Sequence, residues 1–127
     1  MIAAALLALA ASQVAETVPP GSPSDRAYRD CIDTHTTNSD WAVCGAGWQS
    51  REDARLNQVW RRVYPGLPAQ SKADLLADQR RWIAFKDQSC KLHSNGDWGR
   101  EGQVLGYPGC KVELIKARIR YLETLEN

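Results

Sequence analysis

Three stretches of the chain repeat apolar residues near the 3.6-residue period of a helix. In the first, Trp41, Cys44, Trp48, Leu56, Val59 and Val63 share one face. Thr37 and Asp40 form a T-x-x-D start signal ahead of it, and Pro65-Gly66-Leu67-Pro68 ends it. Gly45 and Gly47 each cost up to ~1 kcal/mol relative to Ala in a helix, so a break near 45–47 is expected. A second helix is expected from Ser71-Lys72-Ala73-Asp74, with Leu75, Gln79, Trp82, Ile83, Lys86 and Cys90 on its inner face. Two of these are polar: Gln79 needs hydrogen-bond partners if buried, and Lys86 can bury its stem and keep its ammonium in water. The third runs from about Lys111 to Leu125, with Leu114, Ile115, Ile119, Leu122 and Leu125 inward. No stretch alternates apolar and polar residues long enough to demand a sheet. The pattern predicts an all-α domain of three main helices and a short N-terminal segment.

Between the second and third helices, Lys91 to Gly109 carries glycine at 96, 99, 102, 106 and 109. Asn95-Gly96 is a turn signal, and a glycine-rich loop of this length needs either a tether or a function. It contains Trp98, Arg100 and Tyr107, residue types that anchor protein contacts, beside the acids Asp97 and Glu101. Two roles are open to the aromatics: folding back on the core, the commoner fate, or meeting a partner.

The N-terminal part of the sequence reads differently from its body. Met1 to Ala11 are all apolar and are followed by Ser12, the pattern of a secretory signal peptide with cleavage after Ala10 or Ser12. Residues 13–24 are rich in Pro and Ser without an apolar face, so an extended linker is expected there and the folded domain is expected over 25–127. Sixteen Lys and Arg against fifteen Asp and Glu give a net charge of +1, which lacks the cation surplus of a general nucleic-acid binder. No apolar run reaches the ~20 residues of a membrane span. The expected product is therefore exported, to the periplasm or beyond, without a membrane span.

Four cysteines in a short exported chain point to disulfides. Cys31, Cys44, Cys90 and Cys110 allow three pairings; 31–44 and 90–110 are favoured as local closures that each straddle an element boundary. Each would contribute about 3 kcal/mol by loop-closure entropy. The competing use is zinc, through Cys90 and His93 at finger-like spacing with His35 as a further ligand. No second half-site exists, so no metal and no cofactor are expected. Catalytic motifs are also missing: there is no G-x-S-x-G elbow, H-E-x-x-H helix or phosphate-binding glycine loop. Candidate acids for a glycosidase (Glu52, Asp53, Asp87, Glu101) cannot be placed opposite one another by sequence, and most acids alternate with bases as on solvated helix faces. A non-enzymatic protein with no catalytic residues is expected.

The segment Gln79-Arg80-Arg81-Trp82-Ile83-Ala84-Phe85-Lys86-Asp87-Gln88-Ser89-Cys90 resembles Q-R-x-W-x-x-[YF]-[RK]-D-x-x-C of the LprI-like lysozyme-inhibitor domains, small exported bacterial proteins. Asp53-Ala54-Arg55-Leu56-Asn57 resembles their D-x-x-L-N, Thr37 stands seven residues before Cys44, and Cys110 and Arg118 fit the last cysteine and an arginine of the closing helix. The resemblance spans about 31–122. Trp41, Trp60 and Ile115 depart from the family's common Met, Tyr and Thr, exchanges of a core type. The family offers no catalytic motif to carry over. It implies a helical domain that binds lysozyme.

Asn57, Gln79, Arg80 and Asp87 are expected to be structural, with Asp87 meeting Arg80 or Arg118 in a hydrogen-bonded network. Two functions follow. The first is inhibition of lysozyme-type muramidases by covering the cleft, with Asp97, Trp98, Arg100, Glu101 and Tyr107 as candidate contacts. The alternative is an envelope module that binds another protein or cell-wall glycan without inhibiting anything. Trp41, Trp48, Trp60 and Trp82 fall on core-type helix faces, which leaves Trp98 as the chief exposed tryptophan for either role.

Overall fold

The computed structural model describes residues 21–126. The expected signal peptide and the expected linker up to residue 20 lie outside the described residues. Four helices of twelve residues or more carry the fold: α1 (Pro23–Thr34), α2 (Asn38–Val63), α3 (Ala69–Ser89) and, after two short helical turns, α6 (Tyr107–Glu123). The two turns are α4 (Lys91–Ser94) and α5 (Gly99–Glu101), and the described residues contain no strand.

The fourth long helix, α1, corrects the expectation of only a short N-terminal segment. It starts inside the Pro/Ser stretch. Pro23 takes the first turn, where a missing N–H costs nothing, and Ser22 Oγ accepts from the Asp25 N–H at 3.1 Å. The start of α2 is as read: Thr37 Oγ1 accepts from the Asp40 N–H at 3.1 Å. Its expected break is not there, since α2 runs unbroken past both glycines. Gly45 is instead a point of close approach, because a Cβ built there would lie 2.7 Å from Pro108 Cγ. Helix α3 begins at Ala69, two residues before Ser71, with Pro68 as its N-cap at φ −57°. The start of α6 lies four residues before Lys111, with Pro108 in its first turn.

Cross-links fix the arrangement. Cys31–Cys44, the bond from Trp48 Nε1 to Asp25 Oδ1 (2.9 Å) and that from Arg51 to Ser24 make α1 and α2 an antiparallel hairpin. Helix α6 lies parallel to α2, with Pro108 beside Gly45 at one end and Arg62 bonded to Glu126 (2.7 Å) at the other. Helix α3 is antiparallel to both: Lys86 approaches Asp53, and Cys90–Cys110 joins the end of α3 to the start of α6. Both disulfides span 5.8 Å between Cα atoms, and they use all four cysteines.

The core follows the three periodic faces. Leu56, Val59 and Val63 of α2 meet Leu75 of α3 and Ile115, Ile119 and Leu122 of α6, with Trp60, Tyr64, Leu67, Trp82 and Leu125 packed around them. Each such side chain contributes about 1.5–3 kcal/mol when fully buried. Ile83 departs from its expected inner face and is 45% exposed, because Trp82 and Lys86 occupy the inward side of that turn.

The polar network differs in its members. Buried Arg118 donates from Nε to Gln79 Oε1 (2.8 Å) and from an Nη to Asp78 Oδ2 (2.6 Å), and its guanidinium lies over the rings of Trp82 and Tyr121. Asp87 is not part of it. It lies 55% exposed with Lys111 Nζ at 4.0 Å, and Asn57 and Arg80 are also exposed. A further buried charge was not foreseen. Glu52 is wholly buried, with Oε2 bonded to half-exposed Arg55 at 2.7 Å and Oε1 without a partner among the described residues.

Candidate functional site

The glycine-rich excursion is folded rather than open. Cys90–Cys110 closes its base, α4 and α5 form its two sides, and a π-helical turn (Gly102–Gly106) leads into α6. Four of its five glycines meet a specific need, and Gly109 has open space around it. Gly96 and Gly99 take φ values of +101° and +68°, the left-handed region that side chains avoid. Gly102 admits the His93 carbonyl, since a Cβ there would lie 2.8 Å from that oxygen and 2.6 Å from Trp98 Cβ. Gly106 lies under the His93 ring, with a built Cβ 2.9 Å from Nδ1. Val104 is buried, and its carbonyl reaches over Gly45 of α2. The excursion is thus seated on the bundle through Val104 and Pro108.

The outer side of this unit carries the candidate contacts. Trp98 is 61% exposed, so it does not fold back onto the core. Tyr107 is half-buried at the start of α6, with Lys111 Nζ 4.4 Å from its ring centre. Arg100 and Glu101 are exposed on α5, and Arg100 donates to Gln103 Oε1 at 3.0 Å. Asp97 is exposed in the turn, its N–H donating to Asn95 Oδ1 at 2.9 Å. A shallow groove of about 400 Å³ is lined by Leu92, His93, Trp98, Glu101 and Leu105. The groove brings Trp98 and Glu101 together, and Asp97, Arg100 and Tyr107 are not part of its lining. Sequence reasoning missed Leu92 and Leu105, which line the groove.

Other groups are engaged in holding the fold. Trp48 stacks on Tyr28 with ring centres 4.0 Å apart and also receives Lys116 over its ring, so its face is no open platform. Burial works to raise the Asp25 carboxyl, but the hydrogen bonds from Lys116 Nζ (2.7 Å) and Trp48 outweigh it and hold the group below its ordinary value. Burial pushes the Tyr28 phenol above its usual range. His35 sits with Cys31 and Cys44, donor atoms within 4.8 Å of one another, but the two sulfurs are bonded together and offer no thiolate. Cys90, the thiol of the zinc alternative with His93 and His35, is bonded to Cys110.

A family model described as lysozyme inhibitor LprI matches residues 31–122, most of the chain and all of the excursion. The chain belongs to the LprI family. The LprI match begins at the first cysteine and ends on the core residue Leu122, so both disulfides and the Arg118 cluster lie within the family domain. No curated protein and no solved structure matches the chain. No helix among the described residues is long and apolar enough to cross a membrane.

Proposed function

We propose that this LprI-family protein is an exported, non-enzymatic inhibitor of lysozyme-type muramidases, and that it acts by seating the excursion of residues 94–107 on the enzyme's cleft. The family match supports the partner class. The observation that carries the choice of surface is Trp98, exposed on a glycine-shaped unit closed by a disulfide. Large aromatics in the centre of an interface contribute most of its binding energy. A surface that is already ordered also avoids much of the entropy cost of association. Leu92 and Leu105 extend the apolar area, while Asp97 and Glu101 supply acids for the rim of a basic enzyme. The alternative, an envelope module for another protein or for glycan, has less support in its glycan form, since Trp98 alone among the five tryptophans is largely exposed.

The test is a titration of the purified oxidised protein into a panel of lysozymes, following the turbidity of cell-wall suspensions. Saturable loss of lysis is the expected result. Clearing of the suspension without lysozyme would replace the reading with an enzyme, and retention on isolated peptidoglycan with no effect on lysis would replace it with a glycan-binding module.

A further inference from the structure

We infer that Asn95 is a site of spontaneous covalent modification, at which the main-chain nitrogen of Gly96 attacks the side-chain amide carbon and closes a succinimide ring. The new bond joins Gly96 N to Asn95 Cγ. The Cγ–Nδ2 bond breaks, and Nδ2 leaves as ammonia with the proton given up by the Gly96 nitrogen. Water then opens the ring. Attack at the former side-chain carbonyl leaves aspartate, and attack at the Asn95 main-chain carbonyl leaves isoaspartate, in which the main chain runs through the old side chain. No enzyme, oxidant or cofactor takes part.

The turn between α4 and α5 serves each part of this reaction. Asn95 is exposed, so water reaches the ring and ammonia can leave. The attacking group is free, since the Gly96 N–H donates to nothing among the described residues, whereas a bonded amide would first have to give up its partner. The Gly96 carbonyl accepts from the Gly99 N–H at 3.1 Å, which anchors the far end of the residue without engaging its nitrogen. Asn95 Oδ1 accepts from the Asp97 N–H at 2.9 Å, and a donor held there stabilises the negative charge that gathers on that oxygen during attack. Ring closure must turn the 95–96 peptide away from the ψ of −10° that Asn95 holds. Gly96, at φ +101°, has no side chain to collide, and a Cβ built there would meet nothing within 4 Å. Asn38 and Asn57 differ on these points: both lie in α2, which holds their peptides, and Ser39 and Gln58 follow them. Each event at Asn95 removes one from the net charge of +1. In the isoaspartyl product the chain's path into Trp98 is also reset. The weight of that change for partner binding rests on the inhibitor reading above, while the chemistry at Asn95 does not.

The experiment incubates the oxidised protein at mildly alkaline pH and body temperature and maps its peptides by mass spectrometry over time, with isoaspartate read by an isoaspartyl methyltransferase. Asn95→Gln and a synthetic peptide of residues 92–99 are incubated alongside, and circular dichroism checks that both proteins stay folded. Asn95 of the folded protein is expected to convert at least as fast as in the peptide, with isoaspartate among the products and with Asn38 and Asn57 unchanged. On ion exchange, wild type should gain an acidic form that Asn95→Gln does not. A rate in the folded protein on the order of tenfold or more below the peptide's, as for a reaction that waits for local opening, would overturn the inference. So would an acidic form that builds up equally in Asn95→Gln. None of these readings involves a lysozyme, so the inhibitor reading stands or falls separately, by the turbidity titration.

Discussion

Arg118 finds Asp78 and Gln79, rather than Asp87, because of where the second disulfide fixes the register of two antiparallel helices. Arg118 lies eight residues beyond Cys110 and so comes level with residues well back along α3 from Cys90, while Asp87 comes level with the start of α6 and faces Lys111. Spacing alone left both acids available, and only a committed Cys90–Cys110 pairing would have chosen between them. Replacing Arg118 with Ala removes two charged hydrogen bonds and the cover over Trp82 and Tyr121. The expected cost is ~2 kcal/mol or more, roughly an 8 °C fall in Tm for a domain of this size. Asp87→Ala should stay within about 0.5 kcal/mol of wild type, as surface changes do. Thermal melts of the two variants check both. Asp25 adds a pH dependence. Its carboxyl is depressed in the folded state, so its contribution is present above the ordinary aspartate pKa and is lost as pH falls through the lower folded value. Wild type should therefore lose stability below about pH 4, with a shallower loss in Asp25→Asn. A pH series of melts would show it.

At the scale of elements, the cap at Thr37 and the faces of α2 and α6 were legible because each is a local signal: a side-chain oxygen at the right spacing, or apolar residues one turn apart. Helix α1 was not, since Tyr28, Cys31 and Ile32 make a thin apolar side that is covered only when Trp48 and Cys44 arrive from α2. The excursion read as a loop because its glycines carry a helix-breaking propensity, whereas several of them serve close packing instead. Gly45 and Gly47 separate the two effects. In Gly45→Ala the new methyl meets Pro108, which is locked in the first turn of α6, so a loss of stability is expected despite the gain in helix propensity. In Gly47→Ala the nearest atom is the movable end of Arg51 at 3.3 Å, and a gain of up to ~1 kcal/mol is expected. Denaturant midpoints of the pair should move in opposite directions.

For the whole molecule, the two disulfides divide the labour. Cys31–Cys44 holds α1 on the bundle, and Cys90–Cys110 shuts the base of the excursion, so the surface offered to a partner is set by the same bond that registers α3 against α6. The groove, unlike the bundle, was only partly legible: Trp98 and Glu101 were visible as residue types, but Leu92 and Leu105 join them through a fold of the chain that no local pattern records. Calorimetry of Trp98→Ala with a lysozyme that the wild type inhibits is the sharpest check on this surface. A loss of affinity on the order of tenfold or more, with the melting temperature kept within a degree or two, is expected of an exposed anchor. Full affinity in that variant would mean that the enzyme is met by some other face of the bundle.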